Sequence, residues 1–345
     1  MKMKAVVVDR FVKHYNELSV SEVHTPVISG DDVEIQVKAA GVNFVDTLYA
    51  RGKHQNNRRH VRPPFTLGLE FSGIVTSSPP TSEFKPGDRV FGDYSGSFSE
   101  RISVPATAVS TLHHIPERWS FVDAAGLAAT LPVSYGALKS AQLQKGETVL
   151  VHAAAGGLGL AAVQIARAFG CTVIATAGSE EKCTVAKKYG ADVCINYEAN
   201  RTWWESVLKH TNDHGADVVF DSVGLVGLSL KCLAHRGRVL VIGFAGREGN
   251  SVTMNRVLLK QASLVGYRYG ESLRRHPEER DGIWKELEPL LQQGKIRPSA
   301  FSKEYHGLES VPQALCDIAS RKVWGKAAIQ LESITRVDNA SKSKL

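Results

Sequence analysis

An α/β fold is expected, with a doubly wound parallel sheet in the second half of the chain and a β-rich unit in the first. Three observations predict it. Residues 149–182 read VLVHAAAGGLGLAAVQIARAFGCTVIATAGSEEK: an apolar strand, a glycine-rich turn, a helix and a second apolar strand. Up to about residue 125, turn signals such as Pro79-Pro80 and Lys85-Pro86-Gly87-Asp88 cut the chain into short strands. From about residue 126, helices and strands alternate, the pattern that builds βαβ units.

The β-rich unit starts directly as a strand in MKMKAVVVDRF, with no secretory core or cleavage site, and alternating runs follow at Val33 to Val37 and Arg101 to Val104. In the second unit Val149 to Val151 form a strand and Gly156, Gly157 and Gly159 the turn. The helix from Leu158 to Phe169 is expected to bury Ala162, Ile165, Ala166 and Phe169, to turn Gln164 and Arg167 outward, and to end at Gly170. Thr172 to Ala177 is the next strand. Cys194 to Tyr197, Ala216 to Val223, Arg238 to Phe244 and Ser263 to Tyr267 bring the count to six, a full dinucleotide-binding sheet. An amphipathic helix lies near Gly282 to Gln293, and from about residue 298 short strands return. The expected division is 1–125 with 298–345 as one domain, its tail at 333–345 flexible, and 126–297 as the other. The active site should lie in the cleft between them.

The glycine turn carries chemistry. Without Cβ atoms the backbone bends tightly and approaches a pyrophosphate, while the N–H groups and dipole of the helix start favour its charge. A plain glycine turn is the structural alternative; the order strand, turn, helix, strand favours binding. An NAD site would carry an Asp or Glu at the tip of the second strand to hold the ribose 2′-OH. Here that tip is Ala177, followed by Gly178, Ser179, Glu180, Glu181 and Lys182. No acid sits at the strand tip itself to repel a 2′-phosphate, Ser179 can donate to it and Lys182 can supply charge, so NADPH is favoured over NADH; Glu180 and Glu181 count mildly against this but fit the first turn of a helix as dipole partners. Otherwise Ser179 is an N-cap and Lys182 a solvated cation.

Composition narrows the class. The chain has 345 residues, a formal charge of +7, and 43% hydrophobic and 22% charged residues, with no apolar run long enough to span a bilayer. Its five cysteines, all after residue 170 and with no CxxC pair, are expected as reduced thiols of an intracellular protein. The basic residues are dispersed except in RGKHQNNRRHVR (51–62), with five cations, two histidines and no acid. A solvated loop is the plain reading, recruitment of a phosphate-rich ligand the other. Ser343, Lys344 and Leu345 follow a polar stretch and match a peroxisomal address read by an import receptor, with the cytoplasm expected if it is unused.

Several segments together resemble the medium-chain dehydrogenase/reductase superfamily, in its zinc-free quinone oxidoreductase branch. They are GVNFVDTLYARG (41–52), PPFTLGLEFSGIV (63–75), KPGDRVFG (85–92), AAGLAATLPVSYGAL (124–138), AAAGGLG (153–159), AGSEEK (177–182), INY (195–197), FDSVG (220–224) and VIGFAG (241–246). The resemblance runs from Met1 to about Glu332. It implies a Rossmann doubly wound parallel sheet plus a β-rich GroES-like catalytic domain, NADPH as cofactor, and a homodimer formed through edge strands such as Ser263 to Tyr267. Zinc alcohol dehydrogenases of the superfamily place a Cys where this chain has Asn43 and a His where it has Leu69. Glu70 remains, but one carboxylate cannot make a site that needs three protein ligands, so no metal is expected. Without a Lewis acid, reduction of an electron-poor quinone or an α,β-unsaturated carbonyl is the easier chemistry.

The resemblance also assigns roles. Asn43 is expected near the nicotinamide ribose and the substrate carbonyl, and Thr130 against the cofactor. Gly156, Gly157, Leu158 and Gly159 hold the pyrophosphate. Gly178, Ser179, Lys182 and Tyr197 surround the 2′-phosphate, Phe244, Ala245 and Gly246 line the nicotinamide side, and Arg321 contacts NADPH. Two tyrosines of related substrate loops fall at Leu48, beside Tyr49, and at His54, leaving Tyr49 and His54 as catalytic candidates. The leading expectation is an NADPH-dependent reductase of quinones or enones. A peroxisomal enoyl-CoA reductase, its loop at 51–62 greeting the phosphates of coenzyme A, is the alternative within the enzyme class. An RNA-binding protein regulated by NADPH is the alternative outside it, and the lack of an aromatic-laced basic stripe speaks against that.

Overall fold

The computed structural model describes residues 1–27, 29–246 and 252–331. In the β-rich unit the strand Val33–Val42 is the centrepiece. It pairs antiparallel with Glu70–Ser77 along one edge and, along the other, with Arg101–Val104 and with Ala327–Gln330 from the far end of the chain. Arg89–Asp93 and Leu112–His114 extend that sheet, and a small sheet of Val20–His24, Lys2–Val8 and Phe65–Thr66 lies beside it. Thus the strand Ala327–Gln330 joins the first unit's sheet.

The second unit carries six parallel strands: β1 (Thr148–Val151), β2 (Thr172–Ala177), β3 (Val193–Asn196), β4 (Ala216–Asp221), β5 (Leu233–Val241) and β6 (Ser263–Gly266). Their order is 3-2-1-4-5-6, the Rossmann order. Both faces of the sheet's centre are covered, so β1, β2 and β4 are largely apolar and their alternate residues enter different cores. Val149, Val151, Val173, Ala175, Val218 and Phe220 pack on one side with the helices Leu131–Ser140 and Gly157–Ala168. Leu150, Ile174, Val219 and Val239 pack on the other with Trp203 and Val207.

Two expectations about the helix after the glycine turn are corrected. Gln164 is buried, because the segment returning to the first unit crosses that face: its amide exchanges hydrogen bonds with the backbone of Arg297, at 3.0 and 3.3 Å. Phe169 is exposed, because it sits at the C-cap beyond the last turn, with Gly170 following at φ +78°. Strand β5 also starts at Leu233 rather than Arg238, and Arg236 within it has φ +61°. The two units meet through a partly buried pair, Arg280 on Asp93 at 2.5 Å. All five cysteines are free thiols. No described helix is long and apolar enough to cross a membrane. Ser343, Lys344 and Leu345 lie outside the described residues.

Candidate active site

The turn after β1 is clamped by the returning chain. Gly325 donates to the Ala155 carbonyl at 2.7 Å and bridges Gly156. Gly156 caps the helix Gly157–Ala168 with extended backbone, so the first amides of that helix, through Leu158 and Gly159, have no carbonyl a turn earlier to receive them. The stem of Lys326 then runs beside the turn. A Cβ on Gly157 would come within 2.8 Å of the Lys326 side chain, and one on Gly126 within 2.7 Å. These glycines therefore make room for a lysine that pattern reading passed over. Thr130 packs its methyl group near Gly157 and spends its hydroxyl on the Gly126 carbonyl, at 2.9 Å.

Lys326 is 5% exposed, and its ammonium ends between two side chains of the β-rich unit. It lies 2.5 Å from Glu70 Oε1 and donates to Asn43 Oδ1 at 2.5 Å. Asn43 Nδ2 donates to Glu70 Oε1 at 2.8 Å, and the other Glu70 oxygen accepts the Ala129 amide at 2.8 Å. A closed triangle of Asn43, Glu70 and Lys326 results. Asn43 is placed there because it precedes the helix Phe44–Ala50, its own N–H received by Asp46 at 2.7 Å. Asp46 is fully buried and its Oδ1 has no partner. Burial raises its pKa to about 7; the Asn43 hydrogen bond and the Lys326 charge oppose that rise, and Glu70 adds to it. Sequence reasoning missed Lys326 and Asp46. The available signal for Lys326 was a lone cation in an otherwise small and apolar strand, Gly325-Lys326-Ala327-Ala328-Ile329.

Tyr49, near the end of the helix that Asn43 starts, and His54 come together. Their rings lie 4.4 Å apart, and both bond Asn56: its Nδ2 donates to the Tyr49 hydroxyl at 2.9 Å, and its N–H to His54 Nδ1 at 3.1 Å. Tyr49 is buried, and desolvation raises its pKa. Desolvation, then the Arg268 charge, lowers that of His54. His54 is thus a neutral ring with its proton on Nε2, able to donate a hydrogen bond but unsuited to acting as a cationic acid.

At the tip of β2, Ser179 caps the following helix, its hydroxyl accepting the Lys182 amide at 3.2 Å, and the Tyr197 hydroxyl abuts Gly178. Lys182 Nζ donates to the Arg321 carbonyl at 2.6 Å, and the Arg321 guanidinium reaches the Gly246 carbonyl at 3.4 Å. Desolvation foremost, and then the Arg321 charge, lower the Lys182 pKa against an opposing effect of Glu181. Two cations that bond only carbonyls here, beside a serine and a tyrosine hydroxyl, fit a 2′-phosphate. Phe244 is exposed, and Ala245 and Gly246 follow it as a turn back onto Ser222 and Val223.

The alcohol dehydrogenase GroES-like domain family matches residues 29–117, and the zinc-binding dehydrogenase family matches 157–288. The second description implies a metal, which these residues do not fit. The three positions in question hold an amide, a leucine and a carboxylate already paired with an ammonium, and no cluster of three or more His, Cys, Asp or Glu side chains suited to a metal occurs among the described residues. The quinone oxidoreductase-like protein 2 of Rattus norvegicus is 37% identical over 330 residues, covering 91% of this chain and 89% of its own. A probable oxidoreductase from Mycobacterium abscessus superposes with TM-score 0.84 at 35% identity, over 96% of this chain and 99% of that one. The Escherichia coli quinone oxidoreductase complexed with NADPH superposes with TM-score 0.81 at 26% identity, over 95% and 100%. With the two-unit fold, the glycine turn and these relatives together, the chain belongs to the medium-chain dehydrogenase/reductase superfamily, in its quinone oxidoreductase branch.

Proposed function

We propose that the protein is an NADPH-dependent, zinc-independent reductase of quinones or α,β-unsaturated carbonyl compounds. The observation that carries this reading is the Asn43–Glu70–Lys326 triangle, which sets an ammonium where zinc relatives would hold their metal. NADPH, when bound, supplies the hydride. Gly156, Gly157, Leu158 and Gly159 cradle its pyrophosphate, Lys182 and Arg321 with Ser179 and Tyr197 take its 2′-phosphate, and Phe244 to Gly246 with Thr130 flank the rest.

An acceptor carbonyl gains negative charge as hydride adds to its conjugated system, so stabilisation must come from fixed donors. Asn43 Nδ2 has a second hydrogen beyond the one given to Glu70, and it orients that hydrogen because Lys326 and Glu70 lock the amide from both ends. The Lys326 charge stands one bond behind. Asp46, protonated below about pH 7, leaves that charge opposed by a single carboxylate. His54 Nε2–H is a further donor for the acceptor, and Tyr49 positions its ring.

Stopped-flow oxidation of NADPH with a panel of quinones, enones and enoyl thioesters tests the reading; lack of turnover with every class would sink it. Two further parts follow the resemblance. The β6 edge, with Leu258 and Leu259 exposed beside it, supports a homodimer, expected as twice the chain mass in light scattering. The Ser343-Lys344-Leu345 triplet supports peroxisomal import: a reporter fused ahead of residues 333–345 should enter peroxisomes, and one lacking the triplet should stay outside.

A further inference from the structure

Beside Tyr49 and His54 a cavity of about 420 Å³ opens between the two units. One wall is the loop that carries Arg58, Arg59 and His60, and the other is the helix Tyr269–Arg275 with Arg268 before it. Five arginines and a histidine thus face a single carboxylate, Glu271. Arg274 and Arg275 both bond Glu271, at 2.6 and 2.8 Å, and hold its pKa down to about 2. One carboxylate spread over several guanidinium groups leaves a cationic surplus, and Arg58 and Arg59 have no acidic partner among the described residues. Within the stretch 51–62 not every cation serves the pocket: Arg51 lies over the Tyr15 ring, and Arg62 bonds the Arg58 carbonyl.

Asn56 joins this cavity to the site. It lines the pocket, donates to the Tyr49 hydroxyl and accepts from Arg268 at 2.7 Å. The pocket is also separate from the cations at the tip of β2. Arg268 follows β6, four strand spacings from β2, a separation of about 19 Å. An anion in this pocket therefore lies at the acceptor end of the cleft.

We propose that the arginine pocket binds the phosphates of an acceptor's handle, the 3′-phospho-ADP end of a coenzyme A thioester, and so selects enoyl thioesters among conjugated acceptors. Guanidinium forks on two facing walls suit multiply charged phosphate groups, which can accept bidentate pairs from both sides. The proposal rests on the reductase reading for its substrate but not for its binding test.

That test is calorimetric titration of coenzyme A into the full-length protein saturated with NADP⁺. Binding at one site per chain is expected, retained by 3′,5′-ADP and absent with pantetheine. An Arg58→Ala/Arg59→Ala variant and an Arg274→Ala variant should each weaken it by at least about 10-fold, with NADP⁺ affinity unchanged as the control for folding. Competition between coenzyme A and NADP⁺, equal binding of pantetheine, or insensitivity to both variants would overturn the proposal. So would an RNA oligonucleotide or inorganic pyrophosphate binding as tightly through the same arginines. If coenzyme A binds as expected while no acceptor oxidises NADPH, the pocket stands and the reductase reading fails.

Discussion

Two lysines of this chain lie where its units meet, and they are held in opposite ways. Lys326 is buried against Glu70 and Asn43, its charge matched before any ligand arrives. Lys182 bonds a carbonyl beside a second cation, Arg321, and has no carboxylate partner among the described residues. The difference separates two uses of one residue type. A paired buried ammonium is costly to desolvate and contributes little net stability, so what it supplies is a fixed geometry at the reacting end. An unpaired ammonium at a partly open edge is a site for an anion, and its strength depends on salt.

The largest effect expected is that of removing the paired lysine. Lys326→Met leaves Glu70 buried and unpaired, and should destabilise the fold by about 3–5 kcal/mol and lower kcat by about 100-fold or more. Chemical denaturation and steady-state kinetics read the two. Adding Glu70→Gln should recover most of the stability but not the rate; recovery of both would make the triangle merely structural. Next is Lys182→Ala, expected to weaken NADPH binding by about 10- to 100-fold, as loss of one charge-assisted hydrogen bond does, while NADH binding stays level. Equal loss for both coenzymes would remove Lys182 from the 2′-phosphate.

A smaller effect concerns Asp46. Its folded pKa of about 7 exceeds that of an unfolded aspartate, so the folded state holds more protons between about pH 4 and 7. That contribution to stability is lost as pH rises through this window, with a slope of at most about 1.4 kcal/mol per pH unit. In urea titrations Asp46→Asn should therefore gain on the wild type as pH climbs to about 7 and hold that gain above it, and should also flatten any fall of kcat/KM across neutrality. A constant difference at all pH values would mean that Asp46 does not titrate there. Smallest is the response to salt: raising it from 50 to 500 mM should weaken NADPH binding a few-fold, screening Lys182 and Arg321, while leaving the stability gap between the wild type and Lys326→Met in place.

The frame of the fold was legible because it follows from local pattern. Apolar runs between glycines and caps gave all six parallel strands, and the segment from residue 298 signalled its return by reverting to short strands. The errors came where distant chain decides burial. Gln164 is expected to face outward on its own helix, yet the backbone of Arg297, 133 residues away, holds its amide. At the site, Arg321 is singled out only by the family resemblance, whereas the glycine turn and Lys182 could be read from type and spacing. The triangle could not, because Lys326 lies 283 residues from Asn43 and nothing local announces the pairing. The pocket was half visible, in the cations of residues 51–62; its second wall belongs to a helix whose arginines read as surface charge until the units are brought together.

The central question for this site is whether fixed donors, backed by Lys326, take the place of a metal. Oxidation of NADPH by a quinone or enone acceptor, measured before and after exhaustive chelation with zinc content assayed in the same samples, tests this most directly. An unchanged rate with the metal removed is the expected result. A rate lost on chelation and restored by zinc would contradict it.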